Sequence, residues 1–229
     1  MAKPREDRDP QAFERSLKEF LHHAPAFGIE PTSRQMEDIR TYVTELLRWN
    51  EKINLTSAKD PGEVLIRHVL DSLVPLAQLL GVHRLLDVGP GGGFPGIPIK
   101  IFRPSLSVVL LEARRKRAAF NQHIVDRLGL GGVEVIWARL GDEDCYERFG
   151  KTPFDAIITR AAFASPRILE LAAPVLRPGG TILLMKGSMD SREQEDLQEG
   201  AGNQGLSFVQ ILPYRLPGSN RTKNLVLIR

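Results

Sequence analysis

The chain has 229 residues, of which 42% are hydrophobic, 26% charged and 7% aromatic, a composition typical of globular proteins and unlike collagen-like or disulfide-rich classes. At roughly 100–200 residues per domain, this length fits one ordinary domain with an appendage and excludes two full enzymes. The formal charge of +3 is too small to indicate a nucleic-acid partner by itself.

The cysteine content and the apolar runs bear on the compartment. Cys145 is the one cysteine, so neither an internal disulfide nor a thiolate metal cluster can form. No run approaches about 18 apolar residues, and no apolar segment follows the charged start of the chain. The sequence therefore predicts a cytoplasmic protein without a structural metal.

The N-terminal part of the chain is predicted to be helical. Residues 1–12 mix both charge signs with two prolines, and we expect a flexible tail there. Across residues 13–80 apolar side chains recur at helical spacing, which predicts an N-terminal helical region. Thr32 or Ser33 is expected to cap its second helix, and Asp60 with Pro61 to mark a turn before the next.

After Gly81 the periodicity changes to short apolar runs separated by helical stretches. About seven strands are predicted, at residues 83–89, 106–112, 133–137, 154–160, 181–186, 206–212 and 223–229. The early strands are apolar at consecutive positions, as in parallel strands buried on both faces. The last two lack an intervening helix and can pair antiparallel. Residues 81–229 are therefore predicted to form a doubly wound α/β domain.

The first predicted strand leads into a glycine-rich loop, DVGPGGGFPG, from Asp87 to Gly96. Ligands of open α/β sheets bind at the carboxyl ends of the strands, where glycines let the backbone approach a cofactor. Gly91, Gly93 and Gly96 also fit the dinucleotide pattern G-x-G-x-x-G. Asp87 at the end of the strand would repel a pyrophosphate, however, so a cofactor that carries a cation suits this loop better.

The loop resembles motif I of class I methyltransferases, D-x-G-x-G-x-G, from Asp87 to Gly93. This resemblance implies S-adenosylmethionine as the cofactor, with Gly89 and Gly91 beneath its methionine portion. Glu112, which ends the second predicted strand, is then expected to accept hydrogen bonds from the ribose hydroxyls.

The region after the fourth strand and the single cysteine limit the methyl acceptor. Enzymes that methylate exocyclic amines typically carry Asp/Asn-Pro-Pro-aromatic there, whereas this chain has Thr-Arg-Ala-Ala-Phe from Thr159. Cytosine-C5 enzymes need a cysteine nucleophile, and the acidic loop predicted around Cys145 should raise the pKa of its thiol. Guanine N7 needs no base, because it offers a lone pair without a proton. Small-molecule acceptors also stay open, since their methyltransferases can lack an obvious base.

Further motifs follow one another along the chain: RWNEKINLT from Arg48, RHVLDSL from Arg67, the glycine loop extended by Ile97-Pro98, RKR from Arg115 and TRA from Thr159. Together they resemble the bacterial small-subunit ribosomal RNA methyltransferase G family, also called glucose-inhibited division protein B, over roughly residues 35 to 229. The resemblance implies methyl transfer to N7 of a guanine in 16S ribosomal RNA, the guanine conventionally numbered 527.

The same resemblance implies which residues contact the cofactor: Gly89, Gly91, Phe94, Glu112, Ala113, Leu140, Gly141 and Arg160. Ala113 would hold the ribose with Glu112, and Leu140 and Gly141 would lie by the adenine. The family usually has Ala-Glu at those two positions, so the acceptor for the adenine amine is expected from Asp142. Arg160 is the candidate catalytic residue and would face the cofactor or the target base.

Basic residues that follow strand ends are candidates for contacting RNA phosphates: Arg114, Arg115, Lys116, Arg117 and Lys186, together with Arg167. A solvated helix start is the other interpretation of the run from Arg114 to Arg117. For Trp49, packing in the core is favoured over stacking on a base. For His68, a packing or capping role is favoured over orienting Asp71 or contacting RNA. For Asn54 two interpretations stay open, a hydrogen bond within a turn and a contact with the catalytic face.

The substrate is expected to be 16S ribosomal RNA or the small ribosomal subunit, and the protein to act as a monomer. Two further hypotheses use the same fold. One is a small-molecule methyltransferase with the helical region as a lid, and the other is a non-catalytic ribosome assembly factor. A nicotinamide dehydrogenase is the least favoured alternative.

Overall fold

The computed structural model describes residues 10–160 and 166–229. Most of the predicted tail lies outside these ranges. The first helix, α1 (Pro10–His23), already begins at Pro10, so residues 10–12 are helical and the tail was predicted to end too late. Across residues 10–160 and 166–229, none of the helices has the length and apolar character that crossing a membrane requires.

The second helix, α2 (Ser33–Ile53), begins as the sequence predicts. The Thr32 hydroxyl accepts a hydrogen bond from the Gln35 backbone N–H, and Gln35 Oε1 accepts one from the Thr32 N–H at 2.9 Å. This reciprocal capping box satisfies two donors that the first turn leaves unpaired. The helix ends at Asn54, which adopts the left-handed conformation with φ of 49°.

A continuous but irregular helical segment completes this region. Asp60 caps α3 (Pro61–Val64) by accepting a hydrogen bond from the Glu63 N–H, as expected for the Asp60–Pro61 turn. A π-helical turn (Leu65–Leu70), α4 (Asp71–Leu73) and a 3₁₀ turn (Val74–Leu79) follow. Because π-helical turns frequently occur at functional sites, this segment is a candidate for contributing to a functional site as well as to the core.

The rest of the chain forms a seven-stranded sheet in the order β3-β2-β1-β4-β5-β7-β6. The strands are β1 (Arg84–Val88), β2 (Ser107–Glu112), β3 (Val133–Trp137), β4 (Phe154–Arg160), β5 (Leu176–Lys186), β6 (Phe208–Tyr214) and β7 (Lys223–Ile228). The first five strands are parallel, and β7 pairs antiparallel with both β5 and β6. The predicted α/β fold, its seven strands and the antiparallel last strand are confirmed.

Helices cover both faces of the sheet. They are α5 (Gly96–Phe102), α6 (Arg115–Leu128), α7 (Glu143–Gly150), α8 (Pro166–Ala172) and α9 (Ser191–Asn203). Cys145 lies in α7, so the acidic loop predicted around it is wrong. Its acidic neighbours occupy the first turn of that helix, where the helix dipole favours negative charge.

The helical region packs directly onto the sheet. One hydrophobic cluster joins Phe20 and Leu46 of this region to Leu85 and Leu110 of the strands, and a second cluster fills the opposite face. The predicted boundary at residue 80 therefore coincides with the end of a helical segment, but the hydrophobic core continues across it.

Candidate functional site

A cavity of about 560 Å³ opens at the carboxyl ends of the parallel strands. The chain runs from β1 outward to β3 and then returns to place β4 on the other side of β1, so this is the topological switch point where open α/β sheets bind ligands. The lining comprises Val88, Gly89, Leu111, Glu112, Ala113, Arg114, Arg117, Ala138, Arg139, Leu140, Gly141, Asp142, Arg167, Ile168 and Leu171.

The glycine-rich loop borders the cavity and is held by the strands beneath it. Of its residues, Val88 and Gly89 are among the described residues that line the cavity, whereas Gly91, which was predicted to contact the cofactor, is not. The Gly89 N–H donates to the Leu111 carbonyl, and the Gly91 N–H donates to Glu112 Oε2, both at 2.9 Å. At the far end of the loop the Gly96 N–H donates to Asp87 Oδ2 at 2.7 Å. A Cβ on Gly96 would collide with the Leu110 side chain, so only glycine lets α5 start this close to β1 and β2.

Glu112 is placed as predicted, at the end of β2 and against the cavity. Its carboxylate accepts the Gly91 N–H at Oε2 and the Arg114 N–H at Oε1, at 2.9 and 2.8 Å. A carboxylate offers about four acceptor positions, so each oxygen of Glu112 can still accept one further hydrogen bond. Two backbone N–H groups thus orient Glu112 for a ligand that carries a pair of hydroxyls.

Asp87 lies beneath the loop and is fully buried. Burial raises the pKa of this carboxyl to about 8, and the nearby Glu112 carboxylate adds to the increase, while the Gly96 N–H and Arg160 oppose it. Asp87 Oδ1 has no hydrogen-bond partner among the described residues. A buried carboxyl oxygen without a hydrogen-bond partner costs free energy, which fits a site completed by a bound donor or cation.

The outer part of the cavity presents apolar and amide surface. Ala113, Leu140, Gly141 and Leu171 line it, and Asp142 Oδ2 accepts the Arg139 N–H at 3.0 Å. Ala113, Leu140, Gly141 and Asp142 are all residues that the sequence assigned to this region. The arrangement fits a flat heterocycle with an amino group beside Asp142.

Phe94 and Arg160 lie outside the set of described residues that line the cavity and form a second cluster behind the glycine loop. The Phe94 ring stacks on the His68 ring at 4.9 Å between centroids. The Arg160 guanidinium lies 5.6 Å from the centroid of the Phe94 ring. Arg160 Nη2 donates to His68 Nδ1 at 2.7 Å and to the Arg67 carbonyl at 3.1 Å. Arg160 Nη1 is buried and has no hydrogen-bond partner among residues 10–160 and 166–229.

His68 is held neutral by this cluster. Burial and then the Arg160 charge lower the pKa of its imidazole to about 3. Because Arg160 can only donate, Nδ1 must accept, and Nε2–H therefore donates to the Thr56 hydroxyl at 2.7 Å. The histidine joins two sequence motifs by packing and hydrogen bonding, as the favoured interpretation held, and it also positions Arg160.

Asp71 is the fully buried centre of the same cluster. Its carboxylate lies 3.2 Å from Arg160 Nε and 2.6 Å from Lys223 Nζ, and it accepts the Tyr214 hydroxyl at 2.8 Å. Burial and then the Asp71 charge raise the pKa of Tyr214. Lys223 and Tyr214 were not predicted from the sequence, and the available signal was a lysine at the start of a strand whose last four residues are apolar.

A direct contact ties the helical region to the glycine loop. The Tyr42 hydroxyl donates to the Gly92 carbonyl at 2.5 Å, and burial raises the pKa of the phenol. Arg117 Nη2 donates to the Asn54 carbonyl at 3.2 Å, so Asn54 combines a helix-ending turn with a contact to a cavity residue. Trp49 packs against Phe120 and His123, which confirms the packing interpretation.

The candidate RNA contacts divide into two groups. Arg114, Arg115 and Lys116 are exposed at the start of α6, and Arg114, Arg117 and Arg167 line the cavity. Lys186, in contrast, has a side chain only 5% exposed and pairs with Glu193 at 2.5 Å. The prediction that Lys186 contacts RNA is therefore not supported, because a buried, paired ammonium does not reach a phosphate.

Two other expectations concern nucleophiles and metals. Burial, followed by Asp142 and Asp144, raises the pKa of the Cys145 thiol, which confirms the direction inferred from the sequence. Among the residues that the structure describes, no three or more His, Cys, Asp or Glu side chains are grouped so as to hold a metal ion.

Comparison with known proteins adds a family match to this geometry. The family model GidB, described as rRNA small subunit methyltransferase G, matches residues 35–215. The chain is 35% identical over 214 residues to the Ribosomal RNA small subunit methyltransferase G of Geobacter sp. (strain M21), covering 93% of this chain and 97% of the relative. It is 36% identical over 210 residues to the protein of the same name from Geobacter metallireducens, covering 91% and 94%.

Solved structures show the same architecture. An O-methyltransferase from Bacillus cereus in complex with SAH superposes with a TM-score of 0.61 at 20% identity, covering 95% of this chain and 100% of that chain. The fold is therefore that of class I methyltransferases, as the motif at Asp87 implied.

Proposed function

The chain belongs to the GidB family, rRNA small subunit methyltransferase G, and we propose that it transfers a methyl group from S-adenosylmethionine to N7 of guanine-527 in 16S ribosomal RNA. The observation that carries the proposal is the family match over residues 35–215, which spans the cavity and, except for Lys223, the cluster around Asp71 and Arg160. An S-adenosylmethionine-dependent enzyme acting on ribosomal RNA of the small subunit follows from it.

The cavity residues fit this cofactor, which supplies an electrophilic methyl group on a sulfonium cation. Glu112 accepts hydrogen bonds from the ribose hydroxyls, since both its oxygens are oriented by backbone N–H groups. Ala113, Leu140 and Gly141 contact the adenine, and Asp142 accepts from its amino group. The unpartnered Oδ1 of Asp87 supports a bound group that donates or carries positive charge at the methionine end.

The cluster behind the loop supports an acceptor that needs no deprotonation. His68 is neutral, and both its ring nitrogens are engaged by Arg160 and Thr56, so it is not free to act as a base. Guanine N7 already offers a lone pair, and positioning it against the electrophile suffices. Acceptors that must lose a proton are less compatible with these side chains.

Arg160 is the residue we assign to the target base. Its Nε and Nη2 are fixed by Asp71, His68 and the Arg67 carbonyl, whereas its buried Nη1 has no partner among the described residues. Guanine presents O6 beside N7, and arginine is a common partner of that edge. A donor on O6 would orient the base while leaving N7 free for the methyl group.

The start of α6 supports a large polyanionic substrate over a small molecule. Cationic side chains at a helix N-terminus are unfavourable, because the dipole there is already positive. Arg114, Arg115 and Lys116 nevertheless occupy this position and are exposed. Local conflicts of this kind are expected at functional sites, and RNA phosphates would relieve the conflict.

We extend the proposal to the compartment and the oligomeric state. A substrate in the small ribosomal subunit implies a cytoplasmic enzyme. Among the described residues, the exposed large apolar side chains are Leu21, Leu80, Trp137 and Val209, and Trp137 and Val209 lie on β3 and β6 at opposite edges of the sheet. Their separation supports a monomer, which light scattering at micromolar concentration would check.

Methyl transfer to small ribosomal subunits tests the proposal. The purified protein is incubated with isotope-labelled S-adenosylmethionine and 30S subunits that lack this modification, and the digested RNA is analysed by mass spectrometry. We expect the label in 7-methylguanosine. If no label is incorporated although the cofactor binds, the proposal fails in favour of a small-molecule acceptor or an assembly role.

A further inference from the structure

Trp137 is an exposed aromatic residue at the rim of the cofactor cavity. It ends β3, one of the two edge strands of the sheet, and the residue is 60% exposed. The indole N–H donates to the Ala113 carbonyl at 3.1 Å, and Ala113 itself lines the cavity. The ring is therefore fixed in orientation and position although most of it faces solvent.

The surroundings of this ring are cationic. The Arg115 guanidinium lies over the ring, 5.5 Å from its centroid. Arg114 and Lys116, which flank Arg115, and Arg139, two residues after Trp137, are also exposed. Of the acidic residues on β2 and β3, Glu112 accepts two backbone N–H groups and Glu134 pairs with Arg148. Exposed aromatic surface with a guanidinium beside it is the combination that proteins use to hold unpaired bases and their phosphates.

We propose that Trp137 is a stacking platform for an unpaired base of the RNA substrate, outside the target-base site, with Arg115 contacting an adjacent phosphate. The inference rests on the proposed function, because it takes the substrate to be RNA. It adds a second point of attachment at the β3 edge, on the far side of the cavity from Arg160. The contact increases RNA affinity and takes no part in the methyl transfer step.

The two tryptophans of the chain make the inference directly measurable. Trp49 packs against Phe120 and His123, so Trp49→Phe conserves an aromatic contact and leaves Trp137 as the sole tryptophan. This variant is titrated with a short single-stranded RNA and, separately, with polyphosphate, which carries the charge but no bases. We expect the RNA to quench Trp137 emission and polyphosphate to compete for the basic surface without quenching.

Equal emission with and without RNA, at concentrations that bind by filter retention, would overturn the stacking inference. Quenching by polyphosphate as strong as that by RNA would also overturn it, since the response would then report charge alone.

Kinetics provide a second test that separates this contact from catalysis. Trp137→Ala is expected to raise KM for 30S subunits about five- to 150-fold with kcat unchanged, the range associated with loss of one stacked base. Trp137→Phe retains a ring and should restore most of the affinity. Val209→Ala, at the exposed opposite edge of the sheet, is the matched control and should leave KM unchanged.

The outcomes distinguish the two proposals. If the wild-type protein methylates 30S subunits and Trp137→Ala has a normal KM, the platform is wrong and the proposed function stands. If the wild-type protein transfers no methyl group, the proposed function fails, and the fluorescence titration still decides whether Trp137 stacks on RNA bases. Affinity for S-adenosylmethionine should be the same in Trp137→Ala and wild type, because Trp137 lies outside the lining of the cavity among the described residues.

Discussion

Asp87 and Glu112 end or nearly end adjacent strands, yet their environments give them different states. Glu112 accepts two backbone hydrogen bonds, whereas Asp87 accepts one and keeps Oδ1 without a partner among the described residues. Burial raises the pKa of Asp87 to about 8, so the free protein holds a proton there at neutral pH. The position of both carboxylates follows from the sequence, but this difference depends on packing that no motif encodes.

Cofactor binding should therefore release a proton from Asp87 at pH 7. A bound sulfonium or ammonium favours the carboxylate, which lowers the raised pKa back toward its ordinary value. Isothermal titration calorimetry in buffers of different ionisation enthalpy measures the number of protons released. We expect release in the wild type and none in Asp87→Asn. Equal heats in all buffers for the wild type would contradict this assignment.

The free protein should also lose stability as pH rises through the window between these pKa values. The unfolded chain ionises Asp87 near pH 4 and the folded chain near pH 8, so between these values the folded state binds one more proton. Urea unfolding at several pH values should show a smaller decline in Asp87→Asn than in the wild type. Parallel pH profiles would show that Asp87 is not the group responsible.

Substitution of Arg160 tests its assignment to the target base. Arg160→Ala removes the donor assigned to the target base, and we expect kcat to fall about 100- to 1000-fold, as for other preorganised donors. Lys223 and Tyr214 still contact Asp71 in this variant, so the fold should survive. Circular dichroism provides the check of folding.

The matched control is Arg177→Ala. Arg177 is half-exposed and pairs with Asp155 at the opposite ends of β4 and β5 from the site. Its loss should leave turnover unchanged. Near-wild-type turnover in a folded Arg160→Ala protein would remove Arg160 from the site.

At the scale of elements, local sequence signals located the caps and the strands better than the irregular helices. Thr32, one of the two predicted candidates, caps α2, and Asp60 lies at the predicted turn and caps α3, because these side-chain bonds are formed within a few residues. The π-helical turn at Leu65–Leu70 was not predicted. It is stabilised by contacts that are distant in the chain, such as the bond from Arg160 to His68, and a local pattern cannot contain these.

Removing the positive charges at the start of α6 should weaken RNA binding but increase the stability of the fold. Arg115→Ala with Lys116→Ala should weaken binding to ribosomal RNA and reduce the slope of log K against log salt by about 1.4 to 1.8. The same variant should be more stable by about 0.3–1 kcal/mol per charge removed, because the helix dipole disfavours cations there. Binding isotherms at several salt concentrations and thermal melts measure both effects, and an unchanged salt slope would refute the phosphate contacts.

The contact between the glycine loop and the sheet gives a second prediction at this scale. Gly96→Ala would collide with Leu110 and bring a methyl group within 2.7 Å of Asp87 Oδ2. We expect the free energy of unfolding to fall by about 1–3 kcal/mol, together with weaker cofactor binding. Gly202→Ala is the matched control, since it lies in α9 with no described atom near the added Cβ, and should be neutral or slightly stabilising. Equal stability of the two variants would contradict the close approach.

For the whole molecule, the periodicity of apolar residues was enough to predict the fold class. It was not enough to predict how the helical region packs against the sheet. The apolar strands and intervening helices predict a doubly wound sheet, because each signal repeats within about ten residues. Whether the helical region stands apart as a lid or packs on the sheet depends on which faces meet. The structure joins Phe20 and Leu46 to Leu85 and Leu110 in one core, and Tyr42 reaches the glycine loop.

A shared core predicts a single cooperative unfolding transition. Trp49 reports the packing of α2 on α6, and Trp137 reports the edge of the sheet. In Trp137→Phe and Trp49→Phe proteins, the emission of the remaining tryptophan and the far-ultraviolet dichroism should change at one midpoint. Separate midpoints for the two reporters would mean that the helical region and the sheet unfold as independent units.

Strand scission at guanine-527 measures whether this chain methylates N7 of that nucleotide. 16S RNA from treated 30S subunits is exposed to borohydride and aniline, which cleave at 7-methylguanosine, and the break is mapped by primer extension. We expect a cofactor-dependent stop at guanine-527 that is greatly reduced with Arg160→Ala. An intact nucleotide 527, or cleavage at another guanine, would contradict it.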